Sequence, residues 1–158
     1  DGPATQHERL SLALFKVLSV TIEMRPDLAP NHVGYFMKLA RDGAFNGTIF
    51  HRIVKHGIIQ GGDPLSKDPK NAKRYGTGGL GVLKAEFSSE PATRGAVAAV
   101  LQPGKPDSAG SQFFVCVTDQ PSLTGKYTIF GRVSQGIDVV QRLSEAEQTV
   151  GSDGKPIT

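Results

Sequence analysis

The chain of 158 residues and 16.8 kDa is the size of one domain, and 38% hydrophobic residues suffice to close a single core. Its 18 basic and 15 acidic residues leave a formal charge of +3, with no run of five or six like charges to make a nucleic-acid stripe. The lone cysteine, Cys116, excludes an internal disulfide framework, and the longest apolar run, Ala96 to Leu101, falls far short of the ~20 residues of a membrane span.

Glycine and proline punctuate the chain unevenly. Neither occurs from Ala4 to Arg25, where Leu10, Leu12 and Leu14 alternate and Leu18, Val20, Ile22 and Met24 alternate again, the mark of one or two half-buried strands. Pro30 then opens a segment in which Val33, Phe36, Met37 and Ala40 recur at helical spacing, with Gly43 as the stop. Short β-rich runs follow at Thr48–Val54, Gly57–Gln60, Ala96–Leu101, Gln112–Thr118 and Thr128–Val133. Between the second and third lies a long polar loop, Gly61 to Gly81, of the kind that is functional or mobile. A second helix fits Gln135–Ser144 through Ile137, Val140 and Leu143, and Gly151–Thr158 offers a stub of a last strand. The pattern predicts one β-dominated domain over residues 1–158, closed as a barrel or sandwich and carrying two helices.

Several motifs carry no chemistry in their context. Gly76 to Gly81 reads G-x-G-x-x-G, but the segment before it, Asn71–Tyr75, is polar rather than a buried strand, and no helix follows. His7, His32, His51 and His56 make no metal-ligand spacing, so neither metal nor cofactor is expected. Ser111 lacks the nucleophile elbow, and Cys116 between two valines reads as a buried thiol. Period-2 arithmetic is more informative. It puts Phe50 and Arg52 on one face of Thr48–Val54 with His51 and Ile53 on the other, pairs Ile58 with Gln60, and pairs Gln112 with Phe114. Two readings stay open: a core with a snorkelling arginine and edge glutamines, or a site in which these faces meet.

The same segments resemble the cyclophilin family of peptidyl-prolyl cis/trans isomerases. Phe-His-Arg-Ile at 50–53, Gln-Gly-Gly-Asp at 60–63, Gly-Thr-Gly-Gly at 76–79, Gly-Ser-Gln-Phe-Phe-Val at 110–115 and Phe-Gly-Arg-Val at 130–133 occur in the family's order and at close to its spacing. The resemblance spans roughly residues 18–145. It implies an eight-stranded antiparallel β-barrel capped by two α-helices, and a monomeric, cofactor-independent enzyme acting on proline-containing polypeptides. The alternative is a cyclophilin-like module that binds proline segments without turnover. By resemblance Arg52 is the catalytic arginine, Gln60 and Gln112 hold substrate backbone and orient it, and Phe114, Ile58 and Leu123 wall the proline pocket. Tyr127 stands where many relatives have histidine, and Val100 where a small residue contacts the peptide.

Departures carry expectations of their own. Gly57 replaces a pocket-lining phenylalanine, which reduces that wall to backbone unless Ile58 leans in. Ser122 replaces the tryptophan that contacts cyclosporin-type macrocycles, so such ligands are expected to bind weakly. The loop from Gln102 to Asp107 is about two residues longer than usual. The chain begins at Asp1 rather than methionine, so an upstream segment is expected to be missing, and cytoplasm and periplasm both stay open.

Overall fold

The computed structural model describes residues 18–146. Six strands, β1 (Thr21–Met24), β2 (Arg52–Val54), β3 (Ile58–Gly61), β4 (Ala96–Ala99), β5 (Phe113–Cys116) and β6 (Ile129–Gln135), form one antiparallel sheet in the order β1-β6-β4-β5-β3-β2. Two helices accompany it, α1 (Pro30–Arg41) and α2 (Ile137–Ser144). Among the described residues the sheet therefore has six strands rather than the eight expected, and its order ends on β1 and β2 with no pairing between them, so the closed barrel expected is not formed by these strands, although the mainly β class with two helices holds. The Leu10–Leu14 alternation and the 151–158 stub lie outside the described residues.

The apolar patterns explain which strands are central. β4 (AVAA) and β5 (FFVC) are apolar at consecutive positions because both faces of these strands are covered. Val97, Ala99 and Val115 enter the main core with Ile59, Val117, Phe130 and Val140, while Ala96, Ala98, Phe114, Cys116 and Ile129 form a second apolar layer on the opposite face. Side chains as fully enclosed as Val97, Val117 and Val140 each contribute about 1.5–3 kcal/mol. β1, at one end of the sheet order, alternates instead, with Ile22 and Met24 against the core and Thr21 and Glu23 exposed.

The α1 helix starts at Pro30, whose missing N–H costs nothing at the first helical position. Ala29 at the cap has no side chain to offer, and the orphan amides are taken from a distance: the Glu86 carboxylate accepts from His32 N at 2.8 Å and Asn31 N at 3.2 Å. It also bonds His32 Nδ1 at 2.6 Å, tying the 86 loop to the helix. Val33 and Phe36 pack on the core, and the Phe36 ring meets Phe45, Phe113 and Phe130 at centroid distances of 4.7, 5.5 and 5.1 Å. The helical face is rotated from the one expected: His32 is the most buried helix residue, and Ala40 is exposed.

β2 is shorter than the run Thr48–Val54 suggested. Gly62, at φ +87°, turns the neighbouring chain away beyond Gly61, and the Ile49 amide bonds the Ser66 hydroxyl at 3.1 Å instead of a ladder partner. This breaks the period-2 face assignment at 50–53. Phe50 and Ile53 pack against the core, whereas His51 and Arg52 both turn toward Gln60. The long loop after β3 is ordered by two 3-10 turns, Pro64–Lys67 and Pro69–Arg74, capped by the side chains of Asp63 and Asp68.

Candidate active site

Register assembles the site. β2 pairs Arg52 with Gln60, β3 pairs Gln60 with Phe114, and β5 pairs Phe114 with Ala98, so four residues distant in sequence form one row across four strands. Above this row opens a cleft of about 480 Å³. Arg52, Gln60 and Phe114 line it together with Ile58, Val100, Leu123 and Tyr127. The Tyr127 ring stands edge-on to Phe114 at 5.2 Å and 89°. Alanines at 96 and 98 lie beneath Phe114 in the second apolar layer.

Among the described residues Arg52 is the only charged side chain lining the cleft. Its Nη1 donates to Gln60 Oε1 at 3.3 Å, and among the described residues it enters no ion pair. The guanidinium thus keeps further donors for a ligand and is held in place by a neutral amide that does not neutralise it. Gln60 Nε2 in turn donates to Gln112 Oε1 at 3.3 Å and lies 3.5 Å from His51 Nε2. Burial lowers the His51 pKa, with Arg52 adding to the effect and Asp63 opposing it, so the imidazole is neutral beside the arginine at pH 7.

Gln112 does not line the cleft. It is 1% exposed, and its Nε2 donates to the Gly78 carbonyl at 2.7 Å, leaving its oxygen to receive Gln60. Its contacts are with the glycine loop and with Gln60, not with the space a ligand would occupy.

The glycine loop itself has a structural explanation. Asp63, fully buried, accepts from Gly76 N at 2.6 Å, Leu65 N at 2.8 Å and Gly78 N at 3.3 Å. A Cβ at Gly78 would collide with Asp63 Oδ1, and one at Gly79 with Ser111 Oγ. Glycine is required because the loop wraps around a carboxylate and a hydroxyl. Amides already bonded to Asp63 are not free to cradle a phosphate.

The cleft also holds residues that were not expected in the site: Val54, Leu101 and Gln120, and Gly76 of the glycine motif. Val54 is 42% exposed beside Gly57, and a Cβ at Gly57 would meet Val54 Cγ1 at 2.9 Å. The wall at Gly57 is therefore backbone flanked by Val54 and Ile58. Nothing in the sequence marked Val54, whose exposure at the strand end is visible only in the structure. Nor did anything mark Gln120. Cys116 lies in the layer beneath the cleft, and burial pushes its thiol up to about 11, so it is not a nucleophile at neutral pH.

The sheet thus bears a cleft of mixed polar and apolar lining with one unneutralised arginine and a neutral amide network, and it draws no nucleophile from Cys116 or from Ser111, whose hydroxyl donates to the Gly62 carbonyl at 2.7 Å. Comparison with known proteins gives the class. Residues 16–158 match the family described as cyclophilin type peptidyl-prolyl cis-trans isomerase/CLD. A probable peptidyl-prolyl cis-trans isomerase of Brucella suis is 42% identical over 91% of this chain and 77% of its own length. Peptidyl-prolyl cis-trans isomerase CYP18-2 of Arabidopsis thaliana is 39% identical over 87% of this chain and 80% of its own. Among solved structures, a cyclophilin type peptidyl-prolyl cis-trans isomerase of Cryptosporidium parvum, crystallised in the presence of the dipeptide Ala-Pro, superposes with a TM-score of 0.72 at 30% identity, covering 87% of this chain and 85% of that one. The chain belongs to the cyclophilin-type peptidyl-prolyl cis-trans isomerase family, and its activity is the isomerisation of peptidyl-prolyl bonds.

Proposed function

We propose that the cleft accelerates rotation about Xaa-Pro bonds by holding the proline ring on Phe114, between Leu123, Ile58 and Tyr127, with Arg52 donating to the prolyl nitrogen. The barrier arises from amide resonance and stands at ~18–20 kcal/mol. In the twisted transition state resonance is lost, the nitrogen becomes pyramidal and its lone pair can accept a hydrogen bond. A guanidinium is always charged and presents a planar fork of donors, so it favours the twisted state over the planar one. Apolar walls remove water from the amide, which withdraws the hydrogen bonds that stabilise the charge-separated planar form.

Gln60 orients Arg52 through the 3.3 Å bond to its Nη1, and Gln112 fixes the direction of the Gln60 amide. Val100 lines the cleft just past β4, which strand order sets on the side of β5 away from β2, and in this reading the residue before proline would run beside it. The partner is an exposed proline-containing segment of a polypeptide, and the enzyme works as a monomeric single domain. Ser122, exposed on the 3-10 turn Pro121–Leu123, offers no ring to a cyclosporin-type macrocycle, which makes that binding weak.

The observation that carries this reading is the cross-strand row that sets an arginine, without a carboxylate partner among the described residues, beside an aromatic floor. Two-dimensional exchange NMR on an Ala-Pro peptide tests it. The wild type should produce cis–trans exchange peaks, and Arg52→Ala should lose them by at least about tenfold in rate, the loss of one charge-assisted hydrogen bond. Equal rates for both proteins would remove Arg52 from the mechanism. A protein that broadened peptide signals without exchange peaks would be a binder and not an enzyme.

A further inference from the structure

Beside the cleft lies a second hollow of about 540 Å³, and the two share Leu101 and Tyr127 in their walls. Its far side is built by Phe87, by the turn at Pro103–Pro106 and by Lys126. The turn belongs to the lengthened loop and is closed by its own hydrogen bonds. Lys105 N donates to Gln102 O at 3.0 Å, Ser108 Oγ to Lys105 O at 2.6 Å, and Gln102 N to Ser108 Oγ at 2.7 Å. The hollow is thus preformed, and little ordering cost attaches to filling it.

Phe87 is 44% exposed and lends its aromatic ring to the lining of this hollow. Lys105 and Lys126 are exposed at its rim, and among the described residues neither enters an ion pair. No carboxylate lines it, since Asp107, next along the chain, accepts the Ala85 amide at 2.9 Å. An apolar hollow with a cationic rim fits an aromatic or large aliphatic side chain accompanied by a carboxylate.

Geometry says whose side chain that is. Leu101 and Tyr127 line both spaces, so cleft and hollow adjoin across these two residues. In an extended segment, side chains two residues apart point to the same side and lie about 7 Å from each other, which is the step across such a wall. Side chains adjacent to the proline point away. We propose that the hollow is a second subsite of the substrate surface, taking an aromatic or large aliphatic side chain two residues from the proline, with a neighbouring carboxylate meeting Lys105 and Lys126. This rests on the proline ring occupying the Phe114 cleft.

The test uses the whole protein and three peptides: an alanine-flanked Ala-Pro reference, one with Asp-Phe placing phenylalanine two residues before the proline, and one with Phe-Asp placing it two residues after. One of the two phenylalanine peptides should show KM lower than the reference by about tenfold at unchanged kcat, since the gain is equal in ground and transition states. Phe87→Ala should abolish that gain and leave the reference peptide untouched. Lys126→Glu should reverse the preference for Asp over Asn beside the phenylalanine. Phenylalanine peptides within twofold of the reference, or a Phe87→Ala loss equal for all three peptides, would overturn the subsite. Should the reference not be isomerised at all, the cleft reading fails on its own. The subsite is then judged by chemical-shift titration of the same peptides, where Phe87→Ala must weaken the phenylalanine peptide alone.

Discussion

Replacing Asp63 with alanine reaches the site through the glycine loop. The buried carboxylate holds Gly76 N at 2.6 Å and Leu65 N at 2.8 Å, with Gly78 N at a longer 3.3 Å. Removing this fully buried acceptor leaves two strongly bonded, half-buried amides without their partner. At ~1.5–2 kcal/mol for each bond to a charged acceptor, the loss is about 3–4 kcal/mol. In a chain of this length that lowers Tm by about 6–16 °C. Asp63→Asn keeps one acceptor oxygen and turns an NH2 group toward a donor, so its loss falls between wild type and Asp63→Ala. The effect extends to catalysis, because the Gly78 carbonyl anchors Gln112, Gln112 orients Gln60, and Gln60 holds Arg52. Urea melts give the stability, and exchange NMR on folded protein at low temperature gives the rate. A destabilisation below about 1 kcal/mol, or a rate unchanged in Asp63→Ala, would refute the view that this loop is organised by its buried carboxylate.

Two further outcomes are expected. Part-burial pushes the Glu86 carboxyl up, but the bonds from the His32 ring and from the His32 and Asn31 amides outweigh it and hold the carboxyl below its ordinary value of 4.5. A depressed folded-state value contributes stability above the unfolded value that is lost as pH falls through the folded one. Wild type should therefore lose stability on acidification below pH 4.5 more steeply than Glu86→Gln in urea melts, and parallel curves would sink the remote cap. Ser122→Trp should tighten binding of a cyclosporin-type macrocycle in calorimetry, and nanomolar binding by the wild type would show that Ser122 does not set this affinity.

Much of the fold was legible because its signals are local. The Pro30 start and Gly43 stop bound α1 through φ restriction and positive φ, and the strand cores at 58–60, 96–99, 113–116 and 129–133 stand out as apolar runs between turns. Less legible was anything that depends on a distant partner. Buried His32 stacks on Phe130 and is partnered by Glu86, which caps the helix from 54 residues away, and no helical periodicity contains that information. The glycine motif at 76–81 matched a nucleotide-binding pattern in letters alone, and only the position of Asp63 shows what the glycines are for.

For the candidate site the division is sharper. By itself the sequence determined which residue types were present, in family order, and which neighbours within β3 and β5 share a face, because side chains alternate along any strand. It did not determine that Arg52, Gln60 and Phe114 meet, that Phe50 turns to the core while His51 joins Arg52, or that Gln112 withdraws behind Gln60 to the glycine loop. The first is decided by strand order and register, β2 against β3 against β5, and the other two by the chain just outside those ladders, where Ile49 N bonds Ser66 Oγ and Gln112 Nε2 bonds the Gly78 carbonyl. Register is set by long-range burial of apolar faces, and a shift of one residue would have moved the arginine from the cleft into the core.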